Sequence, residues 1–151
     1  MYFNSEIAEF QVEVKDRNEA FRRLTKQLRE KQFITDSFLE HIIEREERFP
    51  TGLPVTNIGV AIPHTDSEYV KKSQIAFMSL KEPISFFEMG TSDKPVAVHM
   101  IFMLALKEPH EQLEMLQKLI EMIQNPETME NLYRCQTKSE FIEIIHHVGL
   151  A

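Results

Sequence analysis

The sequence has four glycines, at positions 52, 59, 90 and 149. Neither GxGxxG nor GxxxxGK[ST] can be written with them, so the usual hardware for dinucleotides and for P-loop nucleotide binding is missing. A single cysteine, Cys135, excludes an internal disulfide and any CxxC pair for zinc. Positive charge is scarce. Lys and Arg number 17 against 24 Asp and Glu, a net charge of −7, which argues against nucleic acid and anionic membrane surfaces as partners. The longest nearly apolar run, Val96 to Leu106, is far short of the ~20 residues a membrane helix needs. The first residues, MYFNSEIAEFQVEVKD, have neither the basic region nor the apolar core of a signal peptide. These absences point to a soluble, cytoplasmic protein with no cofactor and no metal.

What is present suits one domain over residues 1–151. Apolar residues make up 42% and charged residues 27%, so a packed core is within reach and disorder is not expected. Residues 9–14 alternate as a half-buried strand does. Ala20, Phe21, Leu24 and Leu28 recur at helical steps over residues 18–31. A second helix, capped by Thr35 or Asp36, carries Phe38, Leu39, Ile42 and Ile43 and ends near Arg48, before Pro50, Gly52 and Pro54. The period then shortens. Residues 59–62, 74–80 and 95–106 read as strands, the last as the central one, with 84–87 as a partner or edge. Three helices close the chain. Pro109 opens the first, with Leu113, Leu116, Ile120 and Ile123 as its stripe. Pro126 opens the second, and Thr137 or Ser139 caps the last. The expected fold is α/β, a mixed β-sheet flanked by helices on both faces.

Chemistry is most concentrated in residues 57–66, NIGVAIPHTD. An apolar strand runs into Pro63, and His64 follows where the chain leaves the sheet, a usual place for reactive groups in α/β folds. Pro63 stiffens that exit, and a neutral imidazole held in one orientation is a competent nucleophile. A loop histidine of no special role fits the same residues. His110 stands one residue after Pro109 at a helix start, where free N–H groups and the dipole favour an anion; it equally suits a backbone bond at the helix end. Arg45, in EREER, is either a solvated helix residue offset by Glu44, Glu46 and Glu47 or a guanidinium for a phosphoryl group. His99 reads as a sheet-face residue, His41 carries no motif, and His146 and His147 complement a helix C-terminus. No HxxxH, HExxH or GxSxG spacing occurs.

Together these residues resemble the active-site stretch of IIA components of the sugar phosphotransferase system, fructose–mannitol group. The family pattern falls on Arg45-Glu46, on Thr51-Gly52-Leu53 and on Gly59-Val60-Ala61-Ile62-Pro63-His64, with His110 in EPHEQLEML. FPTGL and the spacer after it look most like the galactitol-type branch. The resemblance implies a mixed sheet flanked by helices. It implies a phosphocarrier that takes a phosphoryl group from the carrier HPr and gives it to a IIB component, which serves a membrane IIC component. By motif, His64 is the phosphorylated nucleophile through Nε2, Arg45 holds the phosphoryl group and His110 lies beside it. Cys135, in NLYRCQT, lacks the loop of a IIB cysteine, so IIB and IIC are expected on separate chains. Phe49, Leu53 and Met89 are candidates for an apolar docking patch. Two other readings compete: a regulatory phosphoprotein of the nitrogen-related branch acting by protein binding, and a metal-dependent hydrolase using His64, His110 and Asp66.

Overall fold

The computed structural model describes residues 2–55, 57–91 and 93–150. Strand β1 spans Phe3–Val12; helices α1 and α2 span Arg17–Glu30 and Phe38–Arg48. The short strands β2, Gly52–Leu53, and β3, Gly59–Ala61, follow, and then the long strands β4, Gln74–Phe87, and β5, Pro95–Ala105. Helices α3, Pro109–Met122, α4, Pro126–Arg134, and α5, Lys138–His147, complete the order. The sheet is mixed, with strand order β1-β4-β5-β3-β2. β4 and β5 form an antiparallel pair, β1 and β3 run parallel to their long neighbours, and β2 lies antiparallel on the edge of β3.

Each sheet face is covered by helices. On one, α1 and α2 bury Phe21, Leu24, Phe38 and Ile42 against Met78, Phe86, Val98 and Ile101. On the other, α3, α4 and α5 bury Met115, Leu119, Leu132 and Phe141 against Phe77, Phe102 and Leu104. Phe77 anchors this second layer, with ring centroids 4.5 Å from Phe141 and 5.0 Å from Phe102. Such pairs contribute ~0.5–1.5 kcal/mol each beyond simple burial. The sandwich is the expected α/β arrangement.

Several elements depart from the sequence reading. β1 starts six residues earlier than expected, because Phe3, Ile7 and Ala8 are buried although NSEI shows no clean alternation. Residues 84–87 are no separate strand: β4 runs through them, paired with β5 on both sides of an irregularity between Ser79 and Ile84 where Lys81, Glu82 and Pro83 are exposed. β2 was hidden between Pro50 and Pro54 and exists only because β3 is there to pair with it. Ser37, not Thr35 or Asp36, holds the N-cap position of α2, without a side-chain bond to the helix backbone. On α3 the inner stripe is Met115, Leu119 and Met122; Leu113, expected inside, is 60% exposed. Of the expected stripe, Ile123 is buried and Leu116 packs against the core, so only its N-terminal end turns outward. Thr137 caps α5 through Oγ1, 3.2 Å from the Glu140 N–H, and Gly149 beyond its end takes φ +81°, as a C-terminal stop does.

Candidate active site

The site begins with two close backbone approaches. A Cβ on Gly59 would stand 2.0 Å from the Ala97 carbonyl oxygen, and one on Gly52 would stand 2.6 Å from that of Phe87. Glycine at both positions lets β3 and β2 lie tight on the long strands. β3 meets β5 with a shift between Gly59 and Val60. At that irregular step the His99 ring supplies the missing acceptor, its Nδ1 3.2 Å from the Gly59 N–H. His99 is thus half-buried at the sheet face, edge-on to Tyr133.

Beyond β3 the chain keeps to the sheet for three more residues. The Leu104 N–H donates to the Pro63 carbonyl at 2.9 Å, and His64 bridges Leu104 in parallel register. Proline has no N–H to lose here, and its fixed φ carries the strand straight to His64. His64 is half-buried. Its Nδ1 lies 2.8 Å from the Ile62 carbonyl oxygen. A carbonyl only accepts, so Nδ1 bears the proton and a neutral ring leaves the Nε2 lone pair unprotonated. Burial pulls the His64 pKa below its ordinary value, the Ile62 bond pushes it back in part, and the Arg45 guanidinium lowers it further. The surroundings therefore favour the neutral ring.

Arg45 approaches from the last turn of α2. Its Nη1 is 3.6 Å from Asp66 Oδ1, and its guanidinium carbon stands 4.7 Å over the Phe49 ring. The sequence expectation that Glu46 offsets Arg45 on a solvated face is corrected: Glu46 is only 4% exposed and bonds Thr51 from the inner side of the helix. That inward carboxylate was the site feature least visible in EREER, where its signal is buried under four other charges.

The third element is α3. Gln112 Nε2 donates to the Thr65 carbonyl at 3.1 Å, fixing the helix start against the segment that carries His64. Glu111 anchors the same turn, accepting from Tyr2 OH, from Ser73 Oγ at 2.9 Å and from the Glu108 N–H at 3.0 Å. His110 lies exposed in this first turn. Among the described residues no hydrogen bond or ion pair joins it to His64. His41 stacks on Tyr69, ring centroids 3.8 Å apart; His146 and His147 are exposed at the end of α5.

His64 lines an open depression of about 520 Å³ with Arg48, Phe49, Pro50, Thr51, Met89 and Leu116. Phe49 and Met89 border it, with Phe49 58% exposed. Leu53 does not: it lines a larger apolar cleft of about 760 Å³ with Val55, Ile58, Ile120 and Met129, which holds no histidine. Size alone does not find the chemistry here. Among the described residues no group of three or more His, Cys, Asp or Glu is placed to hold a metal ion. No helix of the described residues is long and apolar enough to cross a membrane.

A strand thus leads through Pro63 to an imidazole held by the Ile62 carbonyl, with an arginine from α2 and the start of α3 alongside. Residues 1–148 match the family described as the phosphoenolpyruvate-dependent sugar phosphotransferase system, EIIA 2. The chain belongs to that family. Among curated proteins it is similar to the galactitol-specific EIIA component of Escherichia coli K12, 29% identical over 117 residues that cover 78% of this chain and 77% of the other. Among solved structures it shares the fold of E. coli enzyme IIA for mannitol, determined in complex with phosphorylated enzyme IIB, at 19% identity, TM-score 0.77 and 96% and 99% coverage of the two chains. The nitrogen regulatory protein IIA-Ntr of Neisseria meningitidis has the same fold, at 24% identity, TM-score 0.76 and 95% and 96% coverage. As an EIIA 2 protein of the galactitol-like branch, the chain is a phosphotransfer component of the sugar phosphotransferase system.

Proposed function

We propose that this EIIA protein carries phosphoryl groups on His64, taking them from the phosphohistidine of HPr and passing them to a IIB component that serves a membrane IIC. The observation that carries the reading is the Nδ1–H bond to the Ile62 carbonyl, which leaves Nε2 as the only ring nitrogen with a free lone pair. In the transfer, the His64 Nε2 lone pair forms the new N–P bond while the P–N bond to the donor imidazole breaks and its electron pair stays on the donor. The phosphorylated ring keeps its Nδ1 proton, and the Ile62 carbonyl accepts from it throughout.

The transition state is loose and nearly in line, so the protein supplies positioning and positive charge. Arg45 is the cation for the equatorial oxygens; to reach them it gives up its contact with Asp66, an exposed pair of small worth. His110 and the free N–H groups at the start of α3 offer a second anion-stabilising edge. Partners meet this site through local contacts around the depression, with exposed Phe49 and half-buried Met89 as the apolar rim. An acidic body of net charge −7 gives no long-range attraction to an anionic donor. The likeness to a galactitol-specific component, which covers most of both chains, favours sugar uptake over nitrogen-related regulation.

Intact mass after incubation with phosphoenolpyruvate, enzyme I and HPr tests the reading. Wild type is expected to gain one acid-labile phosphoryl group, His64→Ala none, and added IIB to discharge the wild type. A folded wild type that gains nothing refutes it.

A further inference from the structure

Glu46 has a bonding pattern that nothing above uses. It follows Arg45 in α2, is 4% exposed, and spends both carboxylate oxygens on one residue. Oε2 accepts the Thr51 N–H at 2.7 Å, and Oε1 accepts the Thr51 hydroxyl at 2.8 Å. Thr51 is itself 3% exposed, and its carbonyl accepts the Ile62 N–H at 3.3 Å. The Ile62 carbonyl in turn accepts His64 Nδ1–H at 2.8 Å. One line of hydrogen bonds therefore runs from the inner side of α2 to the imidazole. Gly52, next to Thr51, is pressed against the Phe87 carbonyl, so this segment has no room to drift toward β4.

We propose that Glu46 is a positioning residue for phosphoryl transfer: it clamps Thr51, and through Ile62 it sets the orientation of the His64 ring relative to Arg45 on the same helix. The inference rests on His64 being the phosphoryl acceptor. A carboxylate is a costly group to bury, and two bonds from one residue fix its plane and hence the place of Thr51. In the ionised form both oxygens accept. In the protonated form one oxygen must donate, the Thr51 N–H cannot accept, and only the hydroxyl end can reverse. Burial raises the Glu46 pKa to about 7, against the two Thr51 bonds and the Arg17 guanidinium of α1, which lower it. The clamp thus changes strength as pH passes through about 7.

The test uses the full chain with 15N-labelled histidine, as wild type, Glu46→Gln and Glu46→Ala. In wild type the His64 ring nitrogens are expected to report the Nδ1–H tautomer and to show an inflection near pH 7 besides the ring's own titration. Glu46→Gln can still accept from the Thr51 N–H and donate to its hydroxyl, so it keeps the tautomer and the transfer rate within about threefold but loses that inflection. Glu46→Ala mixes the tautomers and lowers single-turnover transfer from phospho-HPr about tenfold or more, as small misplacements of a reacting group do, with half-saturation by HPr unchanged. A folded Ala variant with wild-type ring shifts and rate overturns the inference. Should the Ala variant not fold, an inflection near pH 7 that survives in Glu46→Gln overturns it equally. Wild type that accepts no phosphoryl group refutes the carrier role alone, because the ring spectra judge the clamp without HPr.

Discussion

Gly59→Ala is the substitution whose outcome follows most directly from the geometry. The added methyl would lie 2.0 Å from the Ala97 carbonyl oxygen, 3.0 Å from its carbon and 3.2 Å from Val96 Cγ1. The obstacle is backbone of the central strand β5, which is bonded to β4 on its other edge and cannot yield as a flexible side chain would. β3 must move instead, and with it the Gly59 N–H leaves His99 Nδ1. Overpacking costs typically ~1–3 kcal/mol, and a backbone clash of this depth belongs at the upper end, about 3 kcal/mol. For a domain of this size that is a loss of roughly 6–12 °C in Tm. Gly90→Ala is the control: φ is +85° but nothing lies within 4 Å of the new atom, so only left-handed strain of about 1 kcal/mol is expected. Urea unfolding of both variants measures the two costs, and phosphorylation of the folded fraction shows whether His64 moved with β3. A Gly59→Ala protein within about 0.5 kcal/mol of wild type would refute the close approach.

Other expectations follow from the same contacts. Arg45→Ala should slow phosphorylation of His64 by ~10–100-fold while leaving the unfolding free energy within about 0.5 kcal/mol, because its ion pair with Asp66 is exposed; single-turnover kinetics and urea unfolding check both halves. Glu46 should make stability fall as pH rises. Its pKa is raised from 4.5 to about 7 in the fold, so between these values the folded state holds the extra proton. Its contribution is full below pH 4.5 and lost through pH 7, about 3 kcal/mol in all. Glu46→Gln should flatten that slope in urea titrations, and parallel slopes would contradict it. Phosphoryl acceptance should stay high as pH falls to 6.5, because the His64 pKa lies below its ordinary value. Cys135, 2% exposed with its thiol pushed up to about 11, should resist a disulfide reagent in native protein and react once unfolded.

Much of this protein was legible in the chain. The periodicities of residues 18–31 and 38–48 determined α1 and α2. The apolar run after Pro95 determined the central strand, and the order of elements determined a sheet covered on both sides. These are local patterns, set by which side chains must leave water. The Pro63-His64 exit and the Arg45-Glu46 and Thr51-Gly52 steps were also visible, as a resemblance whose physical grounds lie elsewhere. Tertiary structure alone decided those grounds. Gly52 and Gly59 are glycines because strands distant in sequence press on them. β2 is a strand because β3 offers it bonds. Leu113 is outside because the sheet takes Met115, Leu119 and Met122 of α3 instead. The roles of Arg45 and Glu46, neighbours in one charged run, parted because a helix turns adjacent residues about 100° apart, one toward His64 and one into the core. The tautomer of His64 is set by a carbonyl two residues back, and no reading of side chains in order contains that bond.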